Sequence, residues 1–366
     1  MRHSVRKYVK HINAKSSRRG AAVLAVGIAM AAAAIFVRQR TRATERANPP
    51  MGRFIEVDGV RLHYVESGEG QPLVLLHGNG TMAQDFDISG LTELASQQYR
   101  VIAFDRPGFG YSERPRRRIW SPQAQADLLH KALQRLGVSN AIVLGHSWGT
   151  LVAVALALKY SSDVQRLILL SGYYFPTLRL DALLASQPAI PILGDIMRFT
   201  VSPLIGRMMW PGLLRKLFGP ARVPSRFDRF PVWMALRPSQ LRASAAESAL
   251  MVPAAIALRG RYQELTMPVV IMAGAGDRIA NAKRQSFRLS QQIAQSELHV
   301  LPRAGHMIHH LSPREVMAAI GAPTTSMSAP NPRAIVSELP SAALISAPSP
   351  PAASPLTSEP RHGTRG

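Results

Sequence analysis

The chain predicts an α/β fold: a mostly parallel, eight-stranded sheet with helices on both faces and a block of short helices inserted after the sixth strand. Three observations predict it. Short apolar runs alternate with longer stretches of helical spacing, the order of strands and crossover helices in a parallel sheet. Several of these runs end in Gly-rich turns that carry Ser, Asp or His. A long Pro-punctuated stretch between Gly172 and Met267 contains no run of strand type.

Taken in order, residues 53–57 and 60–66, split by Asp58-Gly59, read as a β-hairpin. Strands follow at 73–76, 101–104, 141–145, 167–171, 269–273 and 297–301. Helices are predicted near 121–136, 148–160, 282–293 and 313–320. The first has a clear start, because Ser121 can cap it and Pro122 fits its first turn. Residues 48–172 and 268–320 form the core on this reading. Between them, 173–267 is a helical cap: prolines from Pro176 to Pro253 cut it into short helices, and segments such as Leu204–Trp210 supply apolar faces for packing and for a pocket.

The two ends differ from this body. Residues 1–47 hold eleven Lys or Arg against one acid, Glu45. Within them Gly20 to Val37 is uncharged and Ala-rich, about the length of a membrane-spanning helix. Three readings stay open: an uncleaved single-span anchor, which the length favours; a cleaved signal peptide followed by secretion; and an interfacial or soluble helix. The more basic flank is expected to stay cytoplasmic, which would place the body of the chain outside the cytoplasm. Residues 321–366 are rich in Pro, Ala and Ser without sustained period, the composition of a disordered tail.

Composition narrows the function. A hydrophobic fraction of 46% is enough for a sizeable core. The absence of Cys excludes disulfides, thiolate metal sites and a cysteine nucleophile. The net charge of +22 raises nucleic acid as a partner, but much of it is local to the N-terminus. No basic helix with interleaved aromatics accompanies it, so an anionic membrane surface is the simpler partner.

The chemistry is concentrated at predicted strand ends. Gly145-His146-Ser147-Trp148-Gly149 joins the strand 141–145 to the helix 148–160. A G-x-S-x-G at such a junction is a nucleophile elbow, which exposes the serine hydroxyl and leaves the next N–H, that of Trp148, as an oxyanion donor. His77-Gly78-Asn79-Gly80 follows the strand 73–76 and supplies a second donor, with Asn79 first and Gly80 as alternative. Asp277 follows the strand 269–273 and His306 the strand 297–301, giving the order nucleophile, acid, base. His306 would relay the Ser147 proton and Asp277 would orient the imidazole.

Other residues read as structural. Asp105 precedes the serine in the chain and holds its loop with Arg106, while Asp163, Asp181, Asp195 and Asp228 do not end strands. His77 supports the oxyanion loop and His146 is packed. His309 and His310 flank the pocket, since no matching carboxylate or cysteine set accompanies them for a metal. Tyr173 and Tyr174, with Gly80, are expected at the pocket wall. No cofactor and no metal are required.

On these motifs the chain resembles α/β-hydrolase-fold enzymes, in the branch with an H-G-x-x loop, a D-R-P-G-x-G-x-S loop (Asp105–Ser112) and a G-H-S-x-G elbow. That branch includes haloalkane-dehalogenase-like, epoxide-hydrolase-like, haloperoxidase-like and C–C-bond hydrolases. The resemblance spans about residues 53–320. It departs from the dehalogenases and epoxide hydrolases at the elbow, where they use Asp and this chain has Ser147. A serine implies acyl-type chemistry. The expectation is a serine hydrolase of a carboxylic ester, lactone or thioester with a hydrophobic acyl or aromatic part. C–C hydrolysis and cofactor-free haloperoxidase or perhydrolase activity stay open on the same triad. A non-catalytic, ligand-binding membrane protein is the alternative from another class.

Overall fold

The computed structural model describes residues 2–322, with side chains from Gly20 onward. The expected tail lies almost wholly outside the described residues. In chain order the elements are α1 (Arg2–Ala47), β1 (Arg53–Val57), β2 (Val60–Ser67), β3 (Gln71–Leu76), α2 (Gln84–Ser89), α3 (Leu91–Ala95), β4 (Tyr99–Phe104), α4 (Pro122–Arg135), β5 (Ala141–His146), α5 (Trp148–Lys159) and β6 (Val164–Leu170). Then come α6 (Leu180–Ala185), α7 (Leu193–Phe199), α8 (Val201–Phe218), α9 (Val232–Ala235) and α10 (Pro238–Leu258). The chain returns to the sheet with β7 (Val269–Gly274), α11 (Arg288–Ser290), β8 (Ser296–Leu301), α12 (Ile308–Leu311) and α13 (Pro313–Gly321).

The eight strands form one sheet in the order β1-β2-β4-β3-β5-β6-β7-β8. The β1–β2 hairpin pairs antiparallel with β4, and the other pairings are parallel. Because strand side chains alternate, each central strand feeds two cores. Val74, Leu76, Val143, Leu167, Leu169 and Ile271 pack under α4 and α5. Leu73, Leu75, Ile142, Leu144, Ile168 and Met272 pack under α3 and α13. The start of α4 follows its sequence: the Ser121 hydroxyl accepts from the Ala124 N–H at 3.2 Å, and Pro122 is the first helical residue.

The expected helix at 282–293 is only partly formed. Lys283–Phe287 is a wide π-type turn leading into α11. This turn carries the buried Gln285 side chain, whose Oε1 accepts from the N–H groups of Tyr174 and Phe175 and whose Nε2 donates to Phe175 O.

The insertion between β6 and β7 lies over the carboxyl ends of the strands. Phe218, Phe227, Phe230 and Met234 of the insertion pack with Met82, Ile88 and Met307 of the core. Its longest helix, α10, is tied in by polar contacts. Glu247 and Arg106 are both fully buried and paired, with Nη2 to Oε2 at 3.0 Å, and Gln125 joins them at 3.0 Å.

Helix α1 packs along α7, α8 and α9 through its C-terminal half. Val37 is buried, Phe36 meets Trp233 edge-on at 6.0 Å, and Glu45 pairs with Arg237 at 2.9 Å. The part from Gly20 onward is long and apolar enough to cross a membrane and is almost wholly exposed. Helix α10 has a similar composition but is substantially buried.

Candidate active site

Strand β5 ends at His146, and Ser147 turns the chain into α5 with φ 53° and ψ −118°. Such a conformation costs about 1–3 kcal/mol and persists only where its surroundings impose it. Here the Ser147 N–H donates to Leu170 O at 2.9 Å, and Ser147 O accepts from both the N–H and the hydroxyl of Thr150. The flanking glycines are required by space. A Cβ on Gly149 would lie 2.1 Å from Leu76 O, and one on Gly145 would lie 2.6 Å from Gly149 O.

Asp277 and His306 follow β7 and β8. Asp277 is buried; its Oδ1 accepts from the N–H groups of Ile279 at 2.7 Å and Ala280 at 2.9 Å. Its Oδ2 faces His306 Nδ1 at 2.8 Å. His306 Nε2 faces Ser147 Oγ at 2.9 Å. The carboxylate therefore accepts a hydrogen bond from Nδ1–H, leaving the Nε2 lone pair for the Ser147 hydroxyl. The main chain of His306 is also fixed: its N–H donates to Leu217 O at 2.7 Å, and its carbonyl faces His146 Nε2 at 3.1 Å.

The His77–Gly80 loop passes directly over the serine. A Cβ on Gly78 would lie 3.1 Å from Ser147 Cβ. The loop is held from below, because His77 Nε2 accepts from the Arg106 N–H at 3.0 Å while Nδ1 donates to Gly78 O at 2.7 Å. Burial, reinforced by Arg106, lowers the His77 pKa to about 3, so the ring is neutral, as these two bonds require. The Arg106 guanidinium also donates to His77 O and Gly78 O. The Asn79 side chain points into the cap, donating to Ser244 O and Ser248 Oγ. Among the described residues no hydrogen bond uses the main-chain N–H of Asn79 or of Trp148.

Ser147, His306, Gly78 and Asn79 line a cavity of about 180 Å³. Its roof comes from Ala182, Leu213, Leu217 and Met251, with Ile279 at the side and the Arg179–Asp181 pair at the rim. Arg179 grips Asp181 with two bonds, at 2.8 and 2.9 Å. A larger cavity near Arg114, Arg237 and Arg242 contains none of these groups.

Several sequence expectations are corrected. Gly80, Tyr173 and Tyr174 do not line the cavity. The Gln285 bonds draw the main chain at 174–175 into the core, where Tyr174 is fully buried, and the Tyr173 hydroxyl accepts from the Thr177 N–H instead. Asp105 does not work with Arg106: it accepts from the N–H groups of Ala83 and Tyr111 and pairs with His63 at 2.7 Å. His309 and His310 are fully buried away from the cavity, and they do have a carboxylate, Asp85, at 3.0 and 2.9 Å. These three offer ligand atoms within 4.8 Å of one another, yet both imidazole Nε2 atoms are spent on the Asp85 carboxylate. The roof residues from α6, α8 and α10 carried no signal in the sequence, since their spacing is that of ordinary packing.

Comparison with known proteins agrees with this geometry. Residues 71–313 match the α/β-hydrolase fold family. The chain is 31% identical to 2-hydroxymuconate semialdehyde hydrolase from Pseudomonas sp. (strain CF600) over 264 residues, 71% of this chain and 88% of that protein. It is 28% identical to haloalkane dehalogenase 2 from Mycobacterium bovis, over 74% of this chain and 94% of that protein. In structure it is similar to the enol-lactonase from Burkholderia xenovorans LB400, with a TM-score of 0.60 and 20% identity over 73% of this chain and 98% of that one. These relatives are hydrolytic enzymes, so the non-catalytic alternative falls. The chain belongs to the α/β-hydrolase fold family and is a hydrolase.

Proposed function

We propose that the enzyme cleaves a carboxylic ester, lactone or thioester of a hydrophobic substrate through an acyl-enzyme. The observation that carries this reading is the relay Asp277–His306–Ser147, with links of 2.8 and 2.9 Å, at the floor of a cavity roofed by aliphatic side chains. Ser147 attacks the carbonyl carbon as its proton passes to His306 Nε2. The Asn79 and Trp148 N–H groups receive the oxyanion, and His306 returns the proton to the departing alcohol. Water activated by the same imidazole then releases the acid. The cavity walls serve the apolar part of the substrate. Helix α1 anchors the enzyme in a membrane through residues 20–37.

C–C bond hydrolysis is the second reading, favoured by the similarity to 2-hydroxymuconate semialdehyde hydrolase. A carboxylate substrate of that kind needs a free cation near Ser147. The arginine that lines the cavity, Arg179, is already held by Asp181, which favours the ester.

The test compares wild type with Ser147→Ala against a fluorophosphonate probe and p-nitrophenyl esters of increasing chain length. Labelling and turnover lost together in the variant are expected. A folded wild type that neither labels nor turns over any ester moves the assignment to the C–C reading.

A further inference from the structure

The helices that roof the cavity carry a second apolar face, turned outward. On α8, Leu204, Ile205, Met208 and Met209 recur at helical spacing and are all exposed, Met208 by 75%. Leu184 on α6 and Phe199 on α7 are exposed as well. Monomeric soluble proteins rarely leave so continuous an apolar surface in water.

Three observations say what covers it. The first is continuity with α1. A buried stripe centred on Val37 lies against α7, α8 and α9, while Val23, Leu24, Val26 and Ile28 stand exposed. The end of the apolar span is therefore beside the cap helices. The second is charge. Between Asp195 and Asp228 the chain has no acidic residue, yet it exposes Arg207, Arg215 and Arg222. That pattern suits an anionic lipid surface. The third is the cavity itself, which reaches the surface at Ala185 of α6 and Leu213 of α8, on the same two helices.

We propose that the outward face of α6–α8 docks on the bilayer that holds α1, so that a membrane-dissolved ester reaches Ser147 through the mouth at Ala185 and Leu213 without crossing water. The docking rests on the anchor reading of α1; the substrate route rests also on the ester reading.

The protein has no Cys, so single thiols can be placed at will. Fluorescent labels at Val26→Cys, Met208→Cys and Gln97→Cys would be compared in the full chain. The chain would be reconstituted in phosphatidylcholine–phosphatidylglycerol vesicles carrying acyl-chain-brominated lipid. Gln97 is exposed beside the start of β4, at the sheet end remote from the site. Quenching at Val26 and Met208 but not at Gln97 is expected. Quenching at Val26 alone overturns the docking. So does disulfide cross-linking between Met208→Cys copies without quenching, which assigns the face to a second copy. No quenching at Val26 removes the anchor and the docking with it. In a second arm, Leu204→Ser, Met208→Ser and Met209→Ser are combined. Turnover of a vesicle-borne long-chain ester should fall several-fold while a soluble short ester is unaffected. Equal effects on both esters overturn the route. A wild type that cleaves neither ester defeats the ester reading and leaves the quenching result to decide the docking.

Discussion

Asp277 has two oxygens with two separate tasks. Oδ1 is fixed by the N–H groups of Ile279 and Ala280, and Oδ2 sets the tautomer of His306. Asp277→Asn keeps an acceptor for the two N–H groups but turns an amide donor, or a misplaced acceptor, toward Nδ1. The imidazole then holds its proton on the wrong nitrogen. Ester turnover is expected to fall by about 10³- to 10⁴-fold with little change in melting temperature. Steady-state kinetics beside a thermal melt check this; unchanged kcat removes Asp277 from the mechanism. The triad residues were legible in the sequence because each sits alone at a strand end in the required order. Tyr174 was misread because its placement depends on Gln285, more than a hundred residues further along the chain, and Tyr173 because its hydroxyl turns back to Thr177.

At the scale of elements, the contact between α10 and the Arg106 loop is the most consequential. Arg106 is fully buried and joins Glu247 of α10 to the carbonyls of His77 and Gly78. One guanidinium thus holds α10 and the His77–Gly80 loop in register. Glu247→Ala leaves a buried charge without its partner and is expected to cost about 3–5 kcal/mol of stability. The double change Arg106→Met with Glu247→Leu is expected to recover much of that stability while turnover stays low, because the two carbonyls lose their donor. Denaturant melts and kcat measured on both variants separate the two effects; a single variant as stable as wild type contradicts the account. Strand positions and the α4 cap were readable from apolar runs and Ser121-Pro122. The Arg106–Glu247 pairing was not, since no local pattern links residues so far apart in the chain.

For the molecule as a whole, buried histidines set the dependence of stability on pH. Burial, aided by Arg106, lowers the His77 pKa to about 3 from 6.5. Burial, with His310 adding to it against the pull of Asp85, lowers that of His309 to about 4. Both are neutral when folded, while in the unfolded chain they take up protons below pH 6.5. Their depressed values therefore stabilise the fold fully above about 6.5. That stability is lost as pH falls, at about 1.4 kcal/mol per pH unit for each group. His309 ceases to contribute slope near pH 4 and His77 near pH 3. Urea melts between pH 7 and pH 4 should show stability falling steadily, and His309→Gln should flatten the slope. A flat wild-type profile contradicts neutral burial. The eight-stranded architecture was visible in the alternation of the chain. The outward apolar face of the insertion was not, because the same leucines and methionines read equally well as interior packing.

The hydrogen bond from the His306 N–H to Leu217 O has a mechanical consequence. Leu217 belongs to α8, so His306 is bolted to the roof of the cavity it lines. Lifting α8 to admit a large molecule would break that bolt and pull the imidazole away from Ser147. The enzyme is therefore not built to load by raising this helix. On the proposed route a substrate threads a standing opening at Ala185 and Leu213, and the width of that opening, rather than the reach of the serine, sorts one molecule from another.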